Sequence, residues 1–183
     1  MPGPGILAVS HDGAMNAAGT TGGAFYPSSL VHALTNSGGL SLDWTATASA
    51  NWLTLTATSG TLAAANGSNV MASFNITADA LPVGDYTAVI IFSNATSGAA
   101  VLSRTIALTV SPISMSVAPA PSGVFHVTIN GYPGQAYVSE ASTDLVQWTS
   151  IATNVAGQNG TLLYIDASAS PMPHRFYRGR PHR

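Results

Sequence analysis

The sequence contains no cysteine. Without thiols the chain can form no disulfide framework, no cysteine-ligated zinc site and no iron–sulfur cluster, and it has no cysteine nucleophile. This absence does not fix the compartment, because a secreted chain that is long enough to bury a core can dispense with disulfides. We expect no cofactor.

Charge is also scarce. Only 7% of the 183 residues are charged, against roughly 25% in an ordinary soluble domain, and all five basic residues are arginine because lysine is absent. The formal net charge of -2 gives no field that would attract a polyanion, so we expect no nucleic-acid partner. A hydrophobic content of 46% argues against intrinsic disorder and for a folded chain.

Long apolar runs are missing too. No segment approaches the roughly 18 uninterrupted apolar residues of a membrane helix, so we expect no membrane span. The first ten residues lack the positive segment and the apolar core of a signal peptide, and we expect any secretion signal to lie outside this sequence.

Helical periodicity is never sustained, whereas short runs of β-branched and aromatic residues recur between Gly, Pro, Asn and Ser clusters. This pattern is typical of an all-β sandwich or barrel. The predicted strands cover residues 6–10, 30–35, 40–46, 52–56, 70–77, 84–93 and 101–110, then 113–117, 124–130, 136–141, 146–153, 161–166 and 174–179.

Two of these strands alternate clearly between apolar and polar residues. Val70, Ala72, Phe74 and Ile76 are predicted to share one face of their strand. In the strand at 84–93 both faces are partly apolar, which predicts a central position in a sheet. The glycine-rich segments 130–134 and 157–160 predict turns.

The pattern restarts after Pro112, and a proline that follows a long apolar strand is a plausible domain boundary. We therefore predict two domains, 1–111 and 112–183. The predicted fold class is all-β, with an immunoglobulin-like β-sandwich followed by a second, smaller β-sandwich.

The first region resembles the immunoglobulin-like BACON domains of bacterial secreted proteins. The resemblance rests on residues 40–46 (LSLDWTA), 51–55 (NWLTL), 59–62 (SGTL), 70–77, 84–88 (GDYTA) and 92–96 (FSNAT). It implies an extracellular or cell-surface β-sandwich that is attached to a larger enzyme or adhesin, with polysaccharide or mucin glycans as its partners.

The second region resembles a C-terminal β-domain of secreted proteins from Verrucomicrobia. Residues 131–137 (GYPGQAY), 140–148 (EASTDLVQW) and 175–178 (RFYR) carry this resemblance, which implies a location and a fold rather than an activity. The spacing of Ser142, Asp144 and Trp148 is similar to the Asp-box hairpins of sialidases. Since Val146 stands where glycine is expected, we interpret this segment as a structural hairpin.

Catalytic and metal-binding motifs are weak. There is no Gly-x-Ser-x-Gly elbow, and we interpret His11, Asp12 and Gly13 as a turn. The histidines lack the spacing of a transition-metal site, so we expect no metal. An irregular calcium cage has no fixed spacing and stays an open alternative. We predict no catalytic residues and no enzyme activity.

Carbohydrate recognition needs exposed aromatic rings beside polar side chains. Trp44 shares the parity of Leu40 and Leu42 and is assigned to the core. The candidate ligand-binding residues are Trp52, Tyr26, Tyr132 and Asp43. Trp52 has two open interpretations, a plug at the sheet edge or a stacking platform for a sugar ring.

Three functions remain in view. A structural spacer and a glycan-binding or adhesion module are both consistent with a non-catalytic part of a larger secreted protein. The alternative is a self-assembling surface or fibre subunit, because neutral sheet edges lack the charges that normally protect them. In that case strands 87–92 and 101–110 would pair between chains.

Overall fold

The computed structural model describes residues 1–10, 13–99, 101–169, 172 and 174–182. Within these ranges the chain forms sixteen strands, a four-residue helix α1 (Ile76–Asp79) and a short 3-10 turn (Pro121–Gly123). The predicted all-β class is confirmed. The first ten strands are β1 (Leu7–Val9), β2 (Met15–Thr20), β3 (Gly23–Tyr26), β4 (Ser29–Asn36), β5 (Leu42–Ala48), β6 (Leu53–Leu55), β7 (Ser59–Leu62), β8 (Gly67–Phe74), β9 (Gly84–Asn94) and β10 (Val101–Ser111). The remaining strands are β11 (Ser114–Pro119), β12 (Phe125–Asn130), β13 (Ala136–Ser142), β14 (Thr149–Val155), β15 (Thr161–Asp166) and β16 (Phe176–Pro181).

The first ten strands form a four-stranded sheet in the order β1-β4-β8-β6 and a six-stranded sheet in the order β3-β2-β10-β9-β5-β7. Alternate residues of the strands are buried, as in β5, where Leu42, Trp44 and Ala46 face the core. Gly60 of β7 pairs with Trp44, and a Cβ at Gly60 would lie only 3.0 Å from the indole ring, closer than an ordinary van der Waals contact. The absence of a side chain at Gly60 therefore lets the Ser-Gly-Thr-Leu segment pass beside the tryptophan without crowding the ring.

The strand that was predicted at 70–77 ends earlier than expected. Val70 and Ala72 are buried as predicted, but β8 ends at Phe74, and Ile76 is 69% exposed in the helix α1. The side chain of Asn75 accepts a hydrogen bond from the amide of Thr77 at 2.9 Å. This turn competes with the extended conformation and begins the helix, so the alternation stops there.

The central position that the sequence predicts for β9 is confirmed, since β9 lies between β10 and β5. The same strand order contradicts the prediction that residues 87–92 and 101–110 would pair between chains. Residues 87–92 belong to β9 and residues 101–110 to β10, which lies between β2 and β9. Both strands already have a neighbour on each side, so neither offers a free sheet edge.

Strands β2 and β3 have no counterpart among the predicted strands. Their sequences, MNAAGT and GAFY, are rich in small residues and contain few of the β-branched side chains that signal a strand. They are strands because they extend the six-stranded sheet beside β10. Here the pairing partner, rather than the local sequence, determines the structure.

The C-terminal strands form two smaller sheets, β11-β12-β15 and β14-β13-β16. Their core contains Ile129, Tyr137, Ala156 and Leu162. The predicted turns at 130–134 and 157–160 are confirmed, and they contact each other: the amide of Gly131 donates to the carbonyl of Gly160 at 2.8 Å. Together the two sheets make the second, smaller β-sandwich.

Two compact units account for the chain. The first contains Met1–Ala17, Phe25–Ala78 and Asp85–Thr109, and the second contains Ala18–Ala24, Asp79–Gly84 and Val110–Arg183. The domain bounds 1–111 and 112–183 stay predictions. No helix among the described residues is long and apolar enough to cross a membrane.

The buried side chain of Asn36 connects several segments of the first unit. Its Oδ1 accepts hydrogen bonds from the amides of Ile6 and Gly38, both at 3.0 Å. Its Nδ2 donates to the carbonyls of Leu40, Leu62 and Ala63 at 2.9, 3.1 and 3.2 Å. One amide thereby provides partners for buried and part-buried backbone groups beside β1, β4 and β7.

We expect Asn36→Ala to lower the free energy of unfolding by about 3 kcal/mol, because it removes the hydrogen bonds of five buried or part-buried backbone groups together. Asn69→Ala is the matched control, since Asn69 is an exposed residue of the neighbouring strand β8 and its loss should cost less than about 0.5 kcal/mol. Urea unfolding of the three proteins measures the difference. Equal losses in the two variants would contradict this role of Asn36.

Candidate functional site

Trp52, the first of the sequence-predicted ligand-binding residues, lies in the core. It directly precedes β6 and is only 6% exposed. Its ring stacks on Phe74, with ring centroids 5.9 Å apart and an interplanar angle of 20°. The ring therefore packs against protein, as in the plug interpretation, and presents no open face to a sugar.

Tyr26 and Asp43 are both exposed, but the structure does not bring them together. Tyr26, which is 75% exposed, ends β3 at one edge of the six-stranded sheet. Asp43 is in β5, four strands away, which corresponds to roughly 19 Å at the usual strand spacing. Asp43 Oδ1 accepts a hydrogen bond from Thr61 Oγ1 at 2.5 Å.

Tyr132, the fourth predicted residue, lies in the turn between β12 and β13 and is half-buried. Its amide donates a hydrogen bond to the hydroxyl of Tyr137 at 2.6 Å. The Tyr137 hydroxyl in turn donates to Gln135 Oε1 at 2.9 Å, and Gln135 Nε2 donates to the carbonyl of Gly23 at 2.5 Å. This network orders the turn within the C-terminal unit.

The residues that sequence reasoning missed surround Glu140 in β13. The carboxylate is buried, and it accepts a hydrogen bond from Arg178 Nε at 2.6 Å and from Arg180 Nε at 3.0 Å. The guanidinium of Arg178 also lies over the ring of Trp148, 4.3 Å from the ring centroid. The resemblance segments 140–148 and 175–178 contain Glu140, Trp148 and Arg178, but the signal that could have joined the arginines is their spacing, which places Arg178 and Arg180 on one face of a strand.

Burial of Glu140 disfavours its charged form, but the hydrogen bonds and positive charges of Arg178 and Arg180 outweigh that effect and lower its pKa. The carboxylate therefore stays ionised at neutral pH. A general acid needs the opposite shift. The geometry makes Glu140 an anchor for two arginines rather than a proton donor.

The loop between β13 and β14 is ordered by Asp144. Its Oδ1 accepts hydrogen bonds from the amides of Gln147 and Val146 at 2.8 and 2.9 Å and from the hydroxyl of Ser142 at 2.9 Å. These bonds lower the pKa of Asp144. Trp148 Nε1 closes the loop by donating to the carbonyl of Leu145 at 3.1 Å. The segment is a self-contained hairpin loop.

A second buried carboxylate, Asp166 at the end of β15, is held by Arg175 and Tyr177. Arg175 Nε donates to Oδ2 at 2.6 Å, and the Tyr177 hydroxyl donates to the same oxygen at 3.0 Å. Burial, followed by the hydrogen bond and negative charge of Asp166, raises the pKa of Tyr177 to about 12, although Arg175 opposes this shift. The group links β15 to β16.

Two shallow depressions adjoin this group, with volumes of about 340 and 310 Å³, and Met172 and Arg175 line both. Arg175 is already paired with Asp166 there. Among the described residues no group of three or more His, Asp or Glu side chains is placed to hold a metal ion. His11 and Asp12, which we interpreted as a turn, lie outside the described residues.

Comparison with known families matches residues 29–105 to the model of the viral BACON domain. The match supports a BACON-type domain in this part of the chain. It covers the segment in which the sequence shows its resemblance to that family, including the Trp44 and Gly60 pair. No curated protein matches the sequence.

Solved structures show only a distant likeness. The PapD-like domain 7 of human CEP192 is 14% identical, with 58% of this chain and 85% of that chain covered and a TM-score of 0.44. The Caenorhabditis elegans MSP family member WR4 is 13% identical over 57% of this chain and 97% of that one, with a TM-score of 0.39. The Pseudomonas aeruginosa CupB2 chaperone is 8% identical over 94% and 99%, with a TM-score of 0.41. Scores in this range do not support a transfer of function.

The raised pKa of Tyr177 predicts a loss of stability at alkaline pH. The folded state holds this phenol protonated above its ordinary pKa of 10, so its contribution is complete below pH 10 and is lost as the pH rises through about 12. We expect the free energy of unfolding to fall less steeply in Tyr177→Phe than in the wild type across this range.

Urea unfolding at a series of pH values between 9 and 12 measures the two slopes, which cover the interval between the ordinary and the raised pKa. The absence of lysine simplifies the experiment, because the arginines stay protonated. Tyr26→Phe serves as the control, since Tyr26 is exposed and should leave the slope unchanged. Identical slopes in the wild type and Tyr177→Phe would contradict the raised pKa of Tyr177.

Proposed function

We propose that the chain is a non-catalytic accessory module of a larger extracellular or cell-surface protein, and that its role is that of a structural spacer. The observation that carries this proposal is that the tryptophan rings pack against other protein groups. Trp44 and Trp52 are buried in the first sandwich, and the guanidinium of Arg178 lies over one face of the half-buried Trp148 ring. A glycan-binding module of the expected kind would instead expose such rings side by side.

The acidic side chains support the non-catalytic part of the proposal. Glu140 and Asp166 form ion pairs, Asp144 binds backbone amides, and Asp43 and Asp85 accept hydrogen bonds from threonine hydroxyls. General acid–base catalysis needs a carboxyl group that can exchange a proton with a substrate. These five carboxylates already have protein partners, and the partners of Glu140 and Asp144 lower the pKa of both groups.

The extracellular location is supported by the BACON-type segment and by the resemblance of the second region to domains of secreted Verrucomicrobia proteins. Both resemblances belong to parts of longer proteins. We therefore propose that the catalytic or adhesive function resides elsewhere in the parent protein, and that the two sandwiches of this chain separate or support it.

Glycan binding is the second candidate, and the exposure of Tyr26 is the observation that favours it. Tyr26 together with Asp43, Trp52 and Tyr132 was the set proposed from the sequence. Of these, Tyr26 presents the most open aromatic surface. A single exposed ring is normal on a soluble protein, so this candidate ranks below the spacer.

Binding of the purified chain to a panel of neutral polysaccharides, with light scattering on the same sample, separates the two functions. We expect no saturable binding to xyloglucan, cellulose or galactomannan, and a monomer mass that does not change with concentration. Saturable binding that is lost in Tyr26→Ala but kept in Tyr26→Phe, which retains the ring, would replace the spacer with a glycan-binding module.

The mass measurement tests the third function. A mass that rises with concentration would favour a self-assembling subunit that is joined through edge strands and not through β9 or β10. The spacer predicts the opposite result. In the first sandwich the edge strands β1, β3, β6 and β7 have only three or four residues each and offer short templates for pairing, so a rising mass would point to the longer edge strands of the second sandwich.

A further inference from the structure

The Glu140 cluster lies on the outer face of the sheet β14-β13-β16. In β13, Tyr137 faces the core with Ile129, and a side chain at Gly179 in β16 would collide with the same isoleucine. The register pairs Glu140 with Arg178 and Val138 with Arg180. Since side chains alternate along a strand, these residues share the opposite face. The two arginines thus project from the outside of the second sandwich.

Both guanidinium groups remain accessible. The side chains of Arg178 and Arg180 are 50% and 51% exposed, and each binds Glu140 through Nε. In the part of the chain that the structure describes, the Nη atoms of these two arginines have no protein acceptor. Four donor-bearing nitrogens are therefore available on this face.

The cluster carries an excess of positive charge. One carboxylate serves two guanidinium groups, whereas the ion pair of Asp166 with Arg175 is balanced. Asp144 is directed at the backbone amides of its own loop. The local field on this face therefore favours an anion, although the whole chain has a formal charge of -2.

Arg178 and Arg180 are also held in position before any ligand arrives. Glu140 accepts a hydrogen bond from Nε of each arginine, and the guanidinium of Arg178 lies over the ring of Trp148. A guanidinium that is already ordered loses less conformational entropy when it binds a carboxylate or sulfate. Glu140 and Trp148 thus make these arginines better suited to bind an anion than a mobile arginine on the surface would be.

We propose that Arg178 and Arg180 form a binding surface for an anionic polysaccharide, whose carboxylate or sulfate groups accept hydrogen bonds from the outward Nη atoms. This surface is separate from the four residues considered for neutral glycans, and it does not depend on the spacer role. An exposed ion pair contributes only about 0–1 kcal/mol, so a polymer with repeated anionic groups suits it better than a single small anion.

A polysaccharide fits this surface better than a single-stranded nucleic acid. Nucleic acid of that kind is bound by several aromatic rings on which bases stack, and Arg178 already occupies one face of Trp148, the only aromatic ring described in this cluster. The net negative charge of the chain also disfavours a densely charged phosphate backbone. A sugar polymer with more widely spaced charges needs neither a set of stacking rings nor a net positive charge on the whole chain.

The test measures binding of the full chain to alginate, which bears carboxylates, to dextran sulfate and to neutral dextran at low ionic strength. We expect saturable binding to at least one anionic polymer and none to dextran. Arg178→Gln/Arg180→Gln should bind about tenfold more weakly or not at all, because it loses both charge-assisted donors. The polymer that binds more tightly identifies the preferred anion.

Loss of both arginines leaves Glu140 buried without a partner, which could unfold the unit. The variant Glu140→Gln/Arg178→Gln/Arg180→Gln removes that charge, and thermal unfolding shows whether each variant is folded. A folded triple variant that fails to bind supports the proposal. Undiminished binding by that variant, no binding of the wild type to either anionic polymer, or tighter binding to single-stranded DNA would overturn it.

Discussion

The five hydrogen bonds of the Asn36 side chain satisfy backbone groups from three loops of the first sandwich. In a chain with so few charges, buried polar groups of this kind fix the loops that hydrophobic burial alone leaves free. The second sandwich uses two carboxylates in the same way, with Glu140 holding β13 to β16 and Asp166 holding β15 to β16. Each unit thus depends on a small number of buried groups with several partners.

This constraint bears directly on function. Carboxylates and tryptophans are the groups from which catalytic and sugar-binding sites are built, and here they stabilise the fold. The surface that remains is largely serine, threonine, alanine and asparagine. Such a surface fits a module that separates or supports other parts of a protein. The outer face around Arg178 and Arg180 is the exception. Glu140 binds both arginines through Nε, while their Nη donors remain exposed to solvent.

Much of the fold could be predicted from local sequence. Strand β9 shows why: its run of β-branched and aromatic residues is long enough to signal both a strand and a central position. Strands β2 and β3 were not predicted, because pairing with β10 rather than their own composition makes them strands. The predicted end of β8 is wrong, because a hydrogen bond to the side chain of Asn75 turns the backbone into the helix α1.

The candidate site was harder to predict, because alternation along a strand gives the face of a residue but not what covers that face. Trp52 is on the polar side of its segment by parity, and yet Phe74 from β8 covers its ring. Glu140 lies on an outer face and is nevertheless buried, because Arg178 and Arg180 from β16 close over it. These contacts join strands that are distant in sequence, and the register that creates them is set by the tertiary fold.

The state of Trp52 tests the central claim most directly, namely that the aromatic groups build the fold and not a sugar site. The indole N–H resonances of Trp44 and Trp52, assigned by substitution with Phe, can be followed by NMR during solvent exchange and during titration with neutral oligosaccharides. The account predicts slow exchange for both and no shift on titration. Rapid exchange of the Trp52 indole together with a saturable shift would show that its ring is open to ligand and would contradict the account.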